Sequence, residues 1–148
     1  MESIHPLVVH FPIALLWSAV VLDLLALGLK RPQLHRVALW NLGLGTLGAA
    51  IAVLTGLRAE DVAKHSFEIW QIMERHEKLG LTTMALGAVV TAWRLWTRDH
   101  LTGRGRLATL LLMLGMAATV SLGAHLGGRM VYEFGVGGRF GQPITSHP

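Results

Sequence analysis

The sequence predicts an all-α membrane protein whose four transmembrane helices form an up-down-up-down bundle. Three observations carry this expectation. Only 15% of the 148 residues are charged, against about 25% in soluble domains, and mean hydropathy is +0.49. Four apolar runs lie at about residues 7–29, 37–57, 77–97 and 106–126. Each approaches or exceeds the ~20 residues that cross a hydrocarbon core as a helix. The connections "KRPQLHR" and "TRDHLTGRGR" are short, which makes the joined helices antiparallel neighbours. Residues 1–148 read as one domain, with an outer loop over 58–76 and an outer Gly-rich tail over 127–148.

The first run opens with "HPLVVHFPIALL". It is too long, and its start too poor in basic residues, for a cleavable signal. It carries Asp23 about two turns from its far end, where it could act as a proton- or quinone-side acid, though pairing with a basic neighbour such as Arg36 is the first expectation. The second run has small residues in two rows, Gly45, Ala49, Val53 and Gly48, Ala52, Gly56. Such rows let helix backbones approach closely. Asn41 and Thr55 are expected to bridge helices. Ahead of the third run, Phe67, Trp70 and Met73 recur every three residues, the pattern of an interfacial helical stretch. After the fourth, "GVGG" is no nucleotide loop, because no strand precedes it.

The chain has no cysteine. Disulfides, thiolate metal sites and covalent c-type haem are thereby excluded. Net charge is +4, but the basic residues flank apolar runs and form no aromatic-interleaved stripe, so nucleic acid is not an expected partner. Lys30, Arg31, Arg36, Arg94, Arg98, Arg104 and Arg106 cluster at the two short loops against a single acid, Asp99. The positive-inside rule then places those loops in the cytoplasm and both termini outside.

The eight histidines are the compositional oddity. His10 lies 19 residues before Leu29, His76 lies 20 before Trp96, and His125 lies 19 after Arg106. At ~1.5 Å per residue all three share a depth near the outer face. His5 lies just above that level and His65 falls in the outer loop. His35, His100 and His147 read as ordinary loop or tail residues. Gly80, Thr83 and Gly87 follow His76 on its own face, and Ser121 and Ala118 precede His125. Small residues beside an imidazole leave a slot for a flat macrocycle, as in bis-histidine haem sites. Arg58, Arg75 and Arg129 lie at the boundary, where propionates would pair with them. The cofactor-binding set is therefore His10, His76, His125, His65 and His5 with Gly80, Arg58, Arg75 and Arg129. His76 and His125 rank first as axial ligands to iron, and His10 next. Met73 or Met130 could also serve as an axial ligand.

"HPLVVHFPIALL", "HEKLG" and "GAHLGGRMVYEFGVG" together make the chain resemble a family of small bacterial four-helix membrane proteins catalogued as a domain of unknown function. The resemblance covers almost the whole chain, and His5, His10, His76 and His125 are the matching histidines. Members joined to iron–sulfur or cytochrome domains imply redox work.

The expected function is a haem b-binding subunit of the bacterial inner membrane, with one or two haems, transferring electrons near the periplasmic face. It is expected to act within a larger respiratory or photosynthetic redox complex rather than as a stand-alone enzyme. A c-type cytochrome, a quinone and membrane lipid are the expected partners. The alternatives are a histidine-held zinc or copper protein, hydrolytic or transporting, and a structural subunit without a cofactor.

Overall fold

The chain's structure is a computed structural model that describes residues 5–60, 67–98, 100 and 103–136. The described residues are helical apart from short connections: α1 (His5–Val8), α2 (His10–Gly28), α3 (Pro32–Glu60), α4 (Phe67–Trp96) and α5 (Gly103–Tyr132). The helices α2 to α5 are each long and apolar enough to cross a membrane. This is the all-α four-helix membrane architecture expected from hydropathy.

The helices α3, α4 and α5 are longer than the apolar runs. Much of the loop expected over 58–76 is helical, since α3 runs to Glu60 and α4 begins at Phe67. The tail expected from 127 begins later, because α5 continues to Tyr132. Thirty residues span ~45 Å, well beyond a ~30 Å core. The outer ends of α4 and α5 therefore project past the apolar zone. Phe67 and Trp70 stack there with ring centroids 6.2 Å apart, as their spacing suggested.

Helix ends follow local chemistry. At the end of α2, Arg31 N–H donates to Ala26 C=O at 3.0 Å while Lys30 adopts φ 52°. That is a Schellman stop. Gly135, at φ 67°, ends α5 with the simpler αL cap, its N–H donating to Val131 C=O at 3.1 Å. Glycine takes that left-handed φ without the Cβ clash. At the other end of the chain, Pro12 has no N–H to offer Val8. The helix breaks at Val9, separating α1 from α2.

Each spanning helix packs against its sequence neighbour, and α2 also meets α5, closing a four-membered ring. The centre holds Leu16, Ala19, Val20, Leu42, Val90, Met113, Met116 and Ala117. Larger apolar side chains such as Leu47 and Leu54 face outward at 60% and 62% exposure. In lipid this costs nothing, because the acyl chains are as apolar as leucine, so small side chains take the helix interfaces. A Cβ on Gly45 would lie 2.8 Å from Leu16, and one on Gly48 3.2 Å from Phe11. Hydrogen bonds cross the same seams: Asn41 Nδ2 donates to Ser18 Oγ at 2.9 Å, Trp17 Nε1 to Ser121 Oγ at 3.1 Å, and Thr83 to Thr119 at 2.8 Å. Asn41 thus bridges helices as expected.

Gly45→Val should loosen the α2–α3 seam and lower stability by about 1–3 kcal/mol, as overpacking does. Gly115→Ala meets nothing within 4 Å and should raise stability by up to about 1 kcal/mol, since glycine is the poorer helix former. Thermal unfolding of both variants in detergent checks the contrast.

Candidate functional site

Polar chemistry collects at the two ends of the bundle. At the outer end, the break at Val9 lets α1 lean across α3. His5 Nδ1 lies 3.1 Å from Thr55 Oγ1. The Thr55 hydroxyl donates to Ala52 C=O at 3.0 Å, so its lone pair accepts from Nδ1–H. On α4, His76 Nδ1 lies 2.8 Å from Gly123 C=O. A carbonyl only accepts, so Nδ1 carries the proton here too. A neutral His76 ring with its proton on Nδ1 has its lone pair on Nε2. The two ring centroids are 6.2 Å apart and their planes 88° apart.

Glycine makes room for each ring. A Cβ on Gly56 would lie 3.1 Å from His5 Cε1, and one on Gly127 3.2 Å from His76 Cε1. Just beyond the pair, Ile72, Met73 and Met130 form a second buried cluster. Burial, then the neighbouring His76, holds the His5 imidazole below its ordinary value of 6.5.

The other candidate ligands are placed differently. His125 lies on α5 between Gly123 and Gly127, which both face His76. At ~100° per residue it points away from them, and it is exposed. The pairing of His76 with His125 ranked first from sequence is therefore not the one brought together; His5, ranked last, takes that place. Shared depth says nothing of rotation about the helix axis. His10, the first residue of α2, is exposed. Gly80 faces Val53 at 3.6 Å and Gly87 would meet Thr46 at 2.5 Å, so α3 fills the groove beside His76 that was expected as a slot. Arg129 pairs with Glu133 at 2.8 Å, and its hydrogen bonds hold that carboxyl below the usual range. Arg75 is exposed. His65 and the Arg58 side chain lie outside the described residues.

At the opposite end the sequence reading missed a site. Arg94 is 1% exposed. Its Nη1 donates to Asp23 Oδ2 at 2.5 Å and its Nη2 to Asp23 Oδ1 at 3.3 Å. Nη2 also donates to His35 C=O at 2.9 Å. His35 Nδ1 lies 2.8 Å from Asp23 Oδ1. The expected partner of Asp23, Arg36, is exposed instead, and His35, expected in a loop, lies on α3. A signal was available. Asp23 lies five residues from the end of α2, His35 three from the start of α3 and Arg94 two from the end of α4. All three share one depth, the criterion applied to the histidines but not to this end.

The energetics explain the arrangement. One charge in a bilayer core costs roughly 2.5–3.5 kcal/mol on insertion scales. Paired and hydrogen-bonded charges are tolerated, whereas removing one partner costs about 3–5 kcal/mol. Arg94→Leu should therefore destabilise by about that amount, and Asp23→Leu combined with Arg94→Leu by less. Denaturant unfolding of the single and double variants in mixed micelles reads the difference.

His5 makes the docking of α1 pH-dependent. Undocked, its imidazole takes up a proton near 6.5; docked, it does so only at lower pH. The contribution is complete above about 6.5 and declines as pH falls below it. Protection of the Val9 amide, which donates to His5 C=O at 3.1 Å, should fall in that window. His5→Gln should remove the dependence, once intrinsic exchange is corrected for.

Among the described residues no group of three or more His, Cys, Asp or Glu could hold a metal ion. No curated protein and no solved structure matches the chain. A family model described as "Predicted membrane protein (DUF2231)" matches residues 1–139. With four membrane-length helices and that match over nearly its full length, the chain belongs to the DUF2231 family of membrane proteins.

Proposed function

We propose that the protein is a membrane redox subunit that holds haem b near one membrane face, with His5 and His76 as axial ligands. The observation that carries this reading is the pair of imidazoles 6.2 Å apart, with His76 Nδ1 turned to Gly123 C=O and His5 Nδ1 beside Thr55 Oγ1. Anchoring one ring nitrogen to a backbone or side-chain oxygen is how proteins orient ligating histidines. Metal–nitrogen bonds of ~2.1 Å put two imidazoles on one centre with rings on the order of 5–6.5 Å apart. Haem asks the protein for two ligands, and the pair is two. Gly56 and Gly127 supply cradles that a Cβ would fill.

When bound, the haem supplies one-electron chemistry. The chain's own residues orient the imidazoles through Thr55 and Gly123. On this reading the pair lies toward the periplasm, in the bacterial inner membrane, with both termini on that side. Electrons pass to a c-type cytochrome or a larger redox complex.

A second reading rests on the same pair: a zinc or copper ion between the imidazoles, completed by further ligands. The reduced-minus-oxidised optical spectrum of detergent-purified protein separates the two. Low-spin haem bands are expected in the wild type. His5→Ala and His76→Ala should each lose the haem or turn it high-spin, while His125→Ala keeps it. A colourless wild type, or His5 and His76 variants with unchanged spectra, overturns the haem reading. Stoichiometric zinc or copper in colourless protein would establish the second.

A further inference from the structure

We infer that Asp23 and His35 form a proton-exchange site at the end of the bundle opposite the His5–His76 pair. This inference does not rest on the haem reading. A narrow cleft reaches the Asp23–Arg94–His35 group, lined also by Leu27, Arg106 and Thr109, with room for about one water molecule.

Each polar group there has a defined task. Arg94 binds both oxygens of Asp23 and holds the carboxyl group beside His35. Nδ1 of His35 is engaged with that group, so Nε2 is the ring nitrogen left to gain or lose a proton. The Thr109 hydroxyl donates to Gly105 C=O at 3.0 Å and presents a lone pair to water in the cleft.

Charge accounting favours exchange over a static brace. Asp23 and Arg94 already neutralise each other, so a structural ion pair in lipid is complete without a third titratable group. The His35 side chain nevertheless closes on the pair while remaining 12% exposed. The groups facing it are Asp23 from α2, Arg94 from α4 and, across the cleft, Arg106 from α5. A proton delivered by water bonds to the Nε2 lone pair and raises the group's charge from zero to +1. Release reverses the step. Asp23 stabilises the imidazolium, and Arg106 opposes it. Intramembrane ionisable chains that reach an aqueous boundary are the usual elements of proton relays.

Full-length protein with 15N-labelled histidine, in lipid nanodiscs, tests this directly. The ring signals of His35 are assigned by their loss in His35→Gln. They should move reversibly from neutral to imidazolium positions as bulk pH goes from about 8 to 5, the range in which imidazoles exchange protons. Arg106→Gln removes a like charge and should move the midpoint to higher pH. Signals that stay fixed across the range overturn the proposal and leave a static brace. An unchanged midpoint in Arg106→Gln overturns the placing of the site in this cleft. Haem content, read on the same His35→Gln sample, should be unaffected, so failure here is distinct from failure of the redox reading.

Discussion

The buried Arg94–Asp23 pair is the constraint on which the arrangement of the bundle depends. A guanidinium in an apolar medium must meet a carboxylate or be expelled to the interface. Arg94 is 1% exposed and binds Asp23 through two nitrogens, so α4 is tied across the bundle to α2. The further bond from Arg94 to His35 C=O brings α3 into the same node. Apolar packing alone would leave rotation of each helix weakly specified, since lipid solvates leucine as well as protein does. A directional charged contact, wrong in every other rotation, supplies the specification.

The seams between helices follow from that node. With α2 and α3 held together at the loop end, Gly45 and Gly48 meet Leu16 and Phe11 along the rest of their length. At the far end Gly56 meets His5. One stripe of small residues thus serves packing through most of its course and accommodates an imidazole where it ends. The sequence reading of these rows as packing holds at Gly45 and Gly48. The slot expected beside Gly87 is occupied by Thr46.

The two ends differ in chemistry for a physical reason. At the loop end, opposite charges and a histidine share one carboxylate, and charge is compensated locally. At the other end two imidazoles meet edge to face, and burial disfavours charging His5. The loop end instead keeps a carboxylate beside an imidazole. The long extensions of α4 and α5 pack Ile72, Met73 and Met130 into a second buried cluster.

The sequence by itself determined the helical class, the number of spans and the crowding of histidines at one level. Those properties depend on hydropathy, on run length and on a rise of ~1.5 Å per residue, all local quantities. Pro12 and Gly135 likewise announce a break and a stop through their own backbone preferences. Partner choice was decided only by the tertiary structure. Depth along an axis is readable from a count of residues, but azimuth turns by ~100° with each one, and which neighbour a face meets depends on the other three helices. His125 has the right depth and the wrong azimuth; His5 lies on a separate short helix that the break at Val9 folds onto α3. Arg94 was counted with the basic residues that flank a short loop because it lies near the end of its apolar run. Only the carboxylate of Asp23, 71 positions away in the chain, explains why it is buried.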